Sequence, residues 1–347
     1  MPKASAARPI ALITGITGQD GSYLTELLLA KGYEVHGLVW RQGSLDVSPI
    51  KPLAENPEIH GKTLFFHYGN LADAGTIRRV FQDVTPQEIY HLGGQSHVGR
   101  SFEIPESTCE EVGMASLRLM EASRDLAASV KIYLASTAEV FGDAADVPQT
   151  EETKFRPTSP YGCAKSFMTQ IARIYRESYG IFVCNGILYN HESPRRGKAF
   201  VTRKISRTVA SIKLGLADKL TLGNTKSRRD WGHAQDYVRA MWMMLQHHRA
   251  DDYIVATGVT HSVQDFVEAA FAVVGLPWEK YLVTDRALER VLEPTQLVGN
   301  PEKIQKTLGW RAGHTFEELV REMVQADLED LACQKVEATM EKQRRAN

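Results

Sequence analysis

Short apolar runs alternate along this chain with longer stretches in which apolar residues recur every three or four positions. Ile10–Ile13 is a continuous apolar run ending at a glycine-rich turn, the pattern of a fully buried strand. Ser22–Lys31 follows with helical spacing, and Gly32 stands where a helix stop belongs. Tyr33–Trp40, Leu64–Tyr68, Glu88–Leu92, Val130–Ala135 and Ile181–Leu188 read as further strands. Asp73–Asp83, Thr108–Ala127 and Tyr161–Tyr179 read as the intervening helices, and Tyr253–Thr257 as one more strand returning to the sheet. Repeated βα alternation predicts an α/β fold with a doubly wound parallel sheet. Past about residue 190 the pattern loosens, which predicts a smaller, mainly helical C-terminal domain. The expected division is 8–190 with 231–262 for the sheet, 191–230 with 263–330 for the second unit, and a polar tail over 331–347.

Composition narrows the partners. With 41 Lys+Arg against 42 Asp+Glu the net charge is -1, so no global field draws in nucleic acid or an acidic membrane. Cys109, Cys163, Cys184 and Cys333 form no CxxC pair, and no Cys/His cluster has zinc-ligand spacing, so no metal is expected. The run after the basic N-terminus is too brief for a signal peptide core, and no run approaches the ~20 apolar residues of a membrane span. A soluble, cytoplasmic protein is the expectation.

Three segments carry chemistry. Gly15-Ile16-Thr17-Gly18-Gln19-Asp20-Gly21 lies between the first strand and the first helix. There glycines let backbone approach a pyrophosphate at a helix N-terminus, which makes the sheet Rossmann-type. At the end of the second strand no acid appears until Asp46, while Arg41 can pair with a 2′-phosphate, so NADP is expected in preference to NAD. Ser136-Thr137-Ala138-Glu139 follows the Val130–Ala135 strand, where parallel-sheet ligands bind; Ser and Thr there are also common helix caps. Tyr161 and Lys165 sit at i and i+4 on one helix face. Alone they describe any amphipathic helix. After a dinucleotide turn and a strand-end Thr-x-Glu they suggest a phenol whose ionisation a nearby ammonium favours, for alcohol-to-ketone chemistry. Glu139 adds an independent acid/base that simple redox does not need.

The third segment is basic. Glu192 and Asp218 are the acids between 192 and 229, against Lys/Arg at 195, 196, 198, 203, 204, 207, 213, 219, 226, 228 and 229. Nucleotide pyrophosphates are natural ligands for such a segment, and a solvated basic face is the plain alternative. On its residues alone His191 reads as a core histidine.

Taken together, Ala11–Leu24, Gln95–Val98, Asn190–Gly197, Phe200–Lys204 and Arg229–His233 resemble the GDP-mannose 4,6-dehydratases, of the extended short-chain dehydrogenase/reductase superfamily. The resemblance runs from about Ile10 to about Leu328. It implies that Tyr161, helped by Lys165 and Thr137, takes the proton of a sugar 4-hydroxyl while Glu139 moves the C5 proton and releases the C6 hydroxyl as water. It places Gly15 to Gly21, Arg41, Asn70, Leu71, Leu92, Gly94, Ser96, Lys165, His191 and Arg196 on cofactor positions. Ser96, Asn190, Lys204, Arg229, Arg290 and Glu293 fall on positions for a GDP sugar. A homodimer or homotetramer is implied. The chain departs from the family at Trp40 (arginine there), Asn70 (Asp), Ser107 (Tyr), Ala138 (Ser) and Val291 (Pro). Rival readings are a dehydratase of another GDP sugar such as GDP-manno-heptose, a nucleotide-sugar epimerase or reductase, and a catalytically silent NADP-binding sensor.

Overall fold

The computed structural model describes residues 7–40, 45, 46, 48–125, 129–288 and 296–346. Arg41, Arg290 and Glu293 lie outside them, as do Ala127 and Val291.

Seven strands form the main sheet: β1 Ile10–Thr14, β2 Glu34–Val39, β3 Leu64–Tyr68, β4 Glu88–His91, β5 Lys131–Thr137, β6 Phe182–Leu188 and β10 Asp252–Val255. Their order is β10-β6-β5-β4-β1-β2-β3, and every pairing is parallel. Strands buried on both faces are apolar throughout, which is why the runs in the sequence mark them. One face packs on helices Gln19–Ala30 and Ala234–Gln246, with Leu24, Leu28, Met241 and Trp310 buried. The other packs on Ala74–Val84, Ala115–Asp125 and Pro160–Tyr179, around Phe81, Leu119 and Met168. The order reverses between β1 and β4, so the chain leaves these neighbours in opposite directions and a crevice opens at their C-terminal ends.

The expected Thr108–Ala127 helix differs in detail. It begins at Pro105, passes through a π segment at Glu110–Met114 and continues as Ala115–Asp125. Such wide turns cluster at functional sites, and here Val112 of the π segment packs with Tyr161 and Ala164.

After β6 the chain builds a second core from helices Val201–Lys213, Val263–Val274 and the start of Phe316–Ala346, around Trp231, Phe266 and Met323. Between the two cores lies a small mixed sheet of β7 Asn190–Glu192, β9 Arg228–His233, β11 Thr260–Ser262 and β13 Gln296–Leu297. β7, β11 and β13 are too short to carry a period and β9 is polar at most of its positions, so the sequence shows only a loosened pattern there. The expected polar tail falls on the end of one helix, Phe316–Ala346. Its Ala, Glu, Gln, Lys and Arg are strong helix formers whether or not they pack.

Candidate active site

The glycine turn is shaped by close approach. Gly15 has φ +74°, and a Cβ there would sit 2.7 Å from the backbone nitrogen of Gly93. Gly18 N–H donates to Gly15 O at 3.0 Å, and the helix from Gln19 starts immediately. Thr14 Oγ1 accepts from Gly93 N–H at 3.1 Å and bonds His91 Nδ1 at 2.8 Å, while His91 Nε2 meets Ser116 Oγ at 3.0 Å. Burial lowers His91 to about 3, so this relay is neutral. The turn and the 92–94 segment therefore form one continuous floor at the head of a helix.

A second set of bonds pins the turn from the far side. Gln19 Nε2 donates to His191 O at 3.1 Å, and Ser193 Oγ donates to Gln19 Oε1 at 2.7 Å. Asp20 Oδ2 lies 2.8 Å from His191 Nε2, and the His191 ring stacks on Tyr237 with centroids 4.5 Å apart.

The catalytic candidates gather at the end of β5. Thr137 caps a single 3-10 turn, accepting from Glu139 N–H at 3.3 Å. Ser159 caps the helix Pro160–Tyr179, accepting from Gly162 N–H at 3.0 Å, with Pro160 in its first turn. Gly162 lets this helix seat against the Thr137–Val140 corner, since a Cβ there would lie 2.8 Å from Glu139 O. Tyr161, Lys165 and Glu139 are each at least nine-tenths buried.

The sequence reading expected Lys165 to favour the phenolate, and the structure brings both side chains to one cavity wall. Lys165 Nζ donates to Ala135 O at 2.6 Å and is 5.8 Å from the centre of the Tyr161 ring. Burial lowers Lys165 to about 8. Burial raises Tyr161 strongly, and the Glu139 carboxylate adds to that; the hydrogen bond with Thr137 and the Arg196 cation act against it. Desolvation of the phenol outweighs its positive neighbours in this arrangement.

Both groups open into one cavity of about 800 Å³. Gly15, Thr17, Gly18, Gln19, Asp20 and Gly21 line one end, with Leu92, Gly94 and Ser96 beside them. Thr137, Glu139, Tyr161 and Lys165 line the middle, and Asn190, His191, Arg196, Lys204 and Arg229 the rest. Ile16 is the exception within the turn: its side chain is fully buried in the core, against Gly37. Asn70 and Leu71 are not on the cavity wall; Asn70 is exposed and accepts from Ala72 N–H at 2.9 Å.

Most of the basic segment has other duties. Arg195 pairs with Glu26 at 2.7 Å and lies over the Tyr23 ring. Arg203 and Arg207 pair with the fully buried Asp327 of the last helix at 2.8 and 3.4 Å. Arg196, Lys204 and Arg229 are the members that reach the cavity wall. Sequence reasoning passed over Glu192, His97, Phe200 and Thr202, which also line it. The available signal was an acid, Glu192, immediately before a basic run.

Among the described residues, His233, His314 and Glu322 are near enough to suggest a metal cage. The hydrogen bonding argues otherwise. His233 Nδ1 accepts from Gln235 N–H at 3.1 Å, and its Nε2 lies 3.0 Å from Glu322 Oε2 as an ion-pair contact that is not an aligned hydrogen bond. His314 Nδ1 faces Asp236 Oδ2 at 2.9 Å, and the two rings stack 4.2 Å apart. This cluster ties the last helix to the helix Ala234–Gln246.

Comparison with known proteins gives a consistent result. The model of a family described as GDP-mannose 4,6 dehydratase matches residues 12–323. GDP-mannose 4,6 dehydratase 2 of Arabidopsis thaliana is 48% identical over 344 residues, covering 96% of this chain and 92% of its own. The Homo sapiens GDP-mannose 4,6 dehydratase is 47% identical over 342 residues, with coverage of 93% and 92%. Among solved structures, a dTDP-glucose 4,6-dehydratase from Streptomyces venezuelae, solved with NAD and TYD bound, superposes with a TM-score of 0.79 at 24% identity, covering 92% of this chain and 97% of that one. A glycine turn, an acid beside a Tyr/Lys pair and a cationic wall thus share one cavity in a chain that belongs to the GDP-mannose 4,6 dehydratase family.

Proposed function

We propose that this protein converts GDP-mannose to GDP-4-keto-6-deoxymannose and water, using a bound nicotinamide dinucleotide that it regenerates in each turnover. The observation that carries the reading is Glu139 beside Tyr161, buried in a cavity that also holds the glycine turn. Redox at one carbon needs only the phenol and the ammonium. A second buried acid/base suits a reaction in which a ketone acidifies the neighbouring C–H so that water can leave.

The residues present fit a dinucleotide. Gly15 packs backbone to backbone against Gly93, which brings the turn and the Leu92–Gly94 segment together in front of a helix N-terminus, where a pyrophosphate is favoured. When bound, the dinucleotide supplies hydride exchange. We assign it as NADP in preference to NAD, because no acid follows β2 until Asp46 and Arg41 is available for a 2′-phosphate.

Tyr161 Oη takes the proton of the sugar 4-hydroxyl, oriented by Thr137. Lys165 and Arg196 are the cations on the cavity wall near the phenol, and Arg196 opposes part of the desolvation that raises it. Glu139 takes the C5 proton and returns one to the C6 hydroxyl as it departs. Asn190, Lys204 and Arg229 hold the nucleotide half, with Arg290 and Glu293 assigned to it by family resemblance, and Ser96 lies between sugar and cofactor. In this reading 8–190 with 231–262 bind the dinucleotide, and 191–230 with 263–330 bind the GDP sugar. No helix among the described residues is long and apolar enough to cross a membrane. A cytoplasmic homodimer or homotetramer completes the proposal.

The test is incubation of the protein as isolated with GDP-mannose, without added cofactor, followed by mass spectrometry. Loss of one water with no net consumption of NADPH supports the reading. Dehydration of a GDP-heptose with GDP-mannose untouched would transfer it to a different GDP sugar.

A further inference from the structure

A buried carboxylate sits in a wall that must meet phosphates. Glu192 closes β7 and is 2% exposed. It accepts from Thr202 Oγ1 at 2.6 Å and lies 3.0 Å from Arg196 Nε. The Nε–H points off the line to the carboxylate, so this contact is an ion pair more than an aligned hydrogen bond. The Arg196 guanidinium lies over the Phe200 ring, 3.6 Å from its centre. The cation is thus held at its inner edge by Glu192 and on one face by Phe200. A guanidinium is planar with five N–H donors, and fixing it this way leaves its terminal nitrogens to meet an anion.

Arg196 lines the same cavity as Asp20 of the glycine turn, His191 and the reacting phenol of Tyr161. We infer that Glu192 is a positioning residue: it sets the plane of Arg196 so that its terminal nitrogens engage a phosphate of the dinucleotide. The inference rests on the dinucleotide reading above. It makes a prediction opposite in sign to that of simple charge. An acid that only neutralised its surroundings would weaken anion binding, and its removal would strengthen it.

The test is titration calorimetry with NADP on protein stripped of bound dinucleotide, for wild type, Glu192→Gln, Arg196→Ala and the double variant. We expect Glu192→Gln to weaken NADP about tenfold, the size of one charge-assisted contact. Arg196→Ala should weaken it at least as much, and the double variant no further than Arg196→Ala alone. Tighter NADP in Glu192→Gln, or losses that add in the double variant, would overturn the role. Should the Glu192 variants fail to fold, Thr202→Val removes the neutral bond that holds the carboxylate. It should weaken NADP in wild type and have no effect once Arg196 is Ala; an equal effect in both backgrounds counts against the proposal. Wild-type protein that binds neither NADP nor NAD overturns the underlying reading, a result separable from additivity in the cycle.

Discussion

His191 Nε2 lies 2.8 Å from Asp20 Oδ2, and His191 Nδ1 lies 2.8 Å from Tyr189 O. Both partners only accept, so both ring nitrogens must carry hydrogen and the imidazole is a cation. Burial alone would lower His191, but the charge and hydrogen bond of Asp20 raise it above 6.5. Burial alone would raise Asp20, but the charge and hydrogen bond of His191 hold it below 3.8. A raised histidine stabilises fully below its unfolded value and loses that contribution as pH rises through its folded value. A depressed carboxylate stabilises above 3.8 and loses it as pH falls through its folded value. The pair should therefore contribute most between those limits. Asp20→Asn should cost about 2 kcal/mol at pH 6 and bring the His191 titration down. Denaturant unfolding against pH, with NMR of the histidine, checks both; an unmoved His191 titration in Asp20→Asn would contradict the pairing.

Glu139→Gln keeps the shape of the side chain and removes its proton exchange. The variant should retain GDP-mannose and NADP binding, yet lose about 10²–10⁴ in dehydration rate, the usual worth of a positioned acid/base. Mass spectrometry of the product and a binding titration separate the two effects. Dehydration at the wild-type rate would remove Glu139 from the chemistry.

Gly15→Ala tests the glycine turn. The new methyl would lie 2.7 Å from Gly93 N, on a residue with φ +74°. Backbone must shift at the head of the helix, and we expect a loss of about 2 kcal/mol in stability with dinucleotide binding abolished. Thermal unfolding with and without NADP measures this: the wild type should be stabilised by the ligand and the variant not. An undiminished NADP-induced shift in the variant would mean that the turn does not meet the dinucleotide.

The inner strands were legible because strands buried on both faces are nearly continuous apolar runs, as Ile10–Ile13 is within β1; the half-buried edge strand Leu64–Tyr68 has the same limits in both readings. Tyr161, Lys165, Thr137 and Glu139 were legible as a group because helix spacing and strand ends dictate where side chains point. The destinations of the basic residues were not, since they depend on partners far along the chain. Arg195 is taken up by Glu26, and Arg203 by Asp327, through contacts across 169 and 124 positions, the differences 195 − 26 and 327 − 203. Glu192 was counted only as an acid diluting a basic run, because nothing local says it faces Arg196 and Thr202. The neighbourhood of Lys165 was hidden too: i,i+4 spacing puts it near Tyr161, but only the fold shows Ala135 O accepting its hydrogen bond.

Lys165 also supplies a test of stored instability. Its folded value is depressed from 10.5 to about 8 by burial, so between those values the unfolded chain holds more protons than the folded one. Stability should then rise with pH through that window, and at neutral pH the buried ammonium is a net burden on the ligand-free protein. Lys165→Met fills a similar volume without charge. Its hydrogen bond to Ala135 O is lost, which offsets part of the gain, so we expect the ligand-free variant to be about 2 kcal/mol more stable at pH 7. The advantage over wild type should shrink as pH rises from 8 to 10. Dehydratase activity should vanish in the same variant, the trade expected where a site keeps a desolvated charge for chemistry. Denaturant unfolding of both proteins at pH 7 and pH 10 provides the comparison. A variant less stable than wild type at pH 7 would show that the ammonium is well solvated by its surroundings and that burial does not depress it.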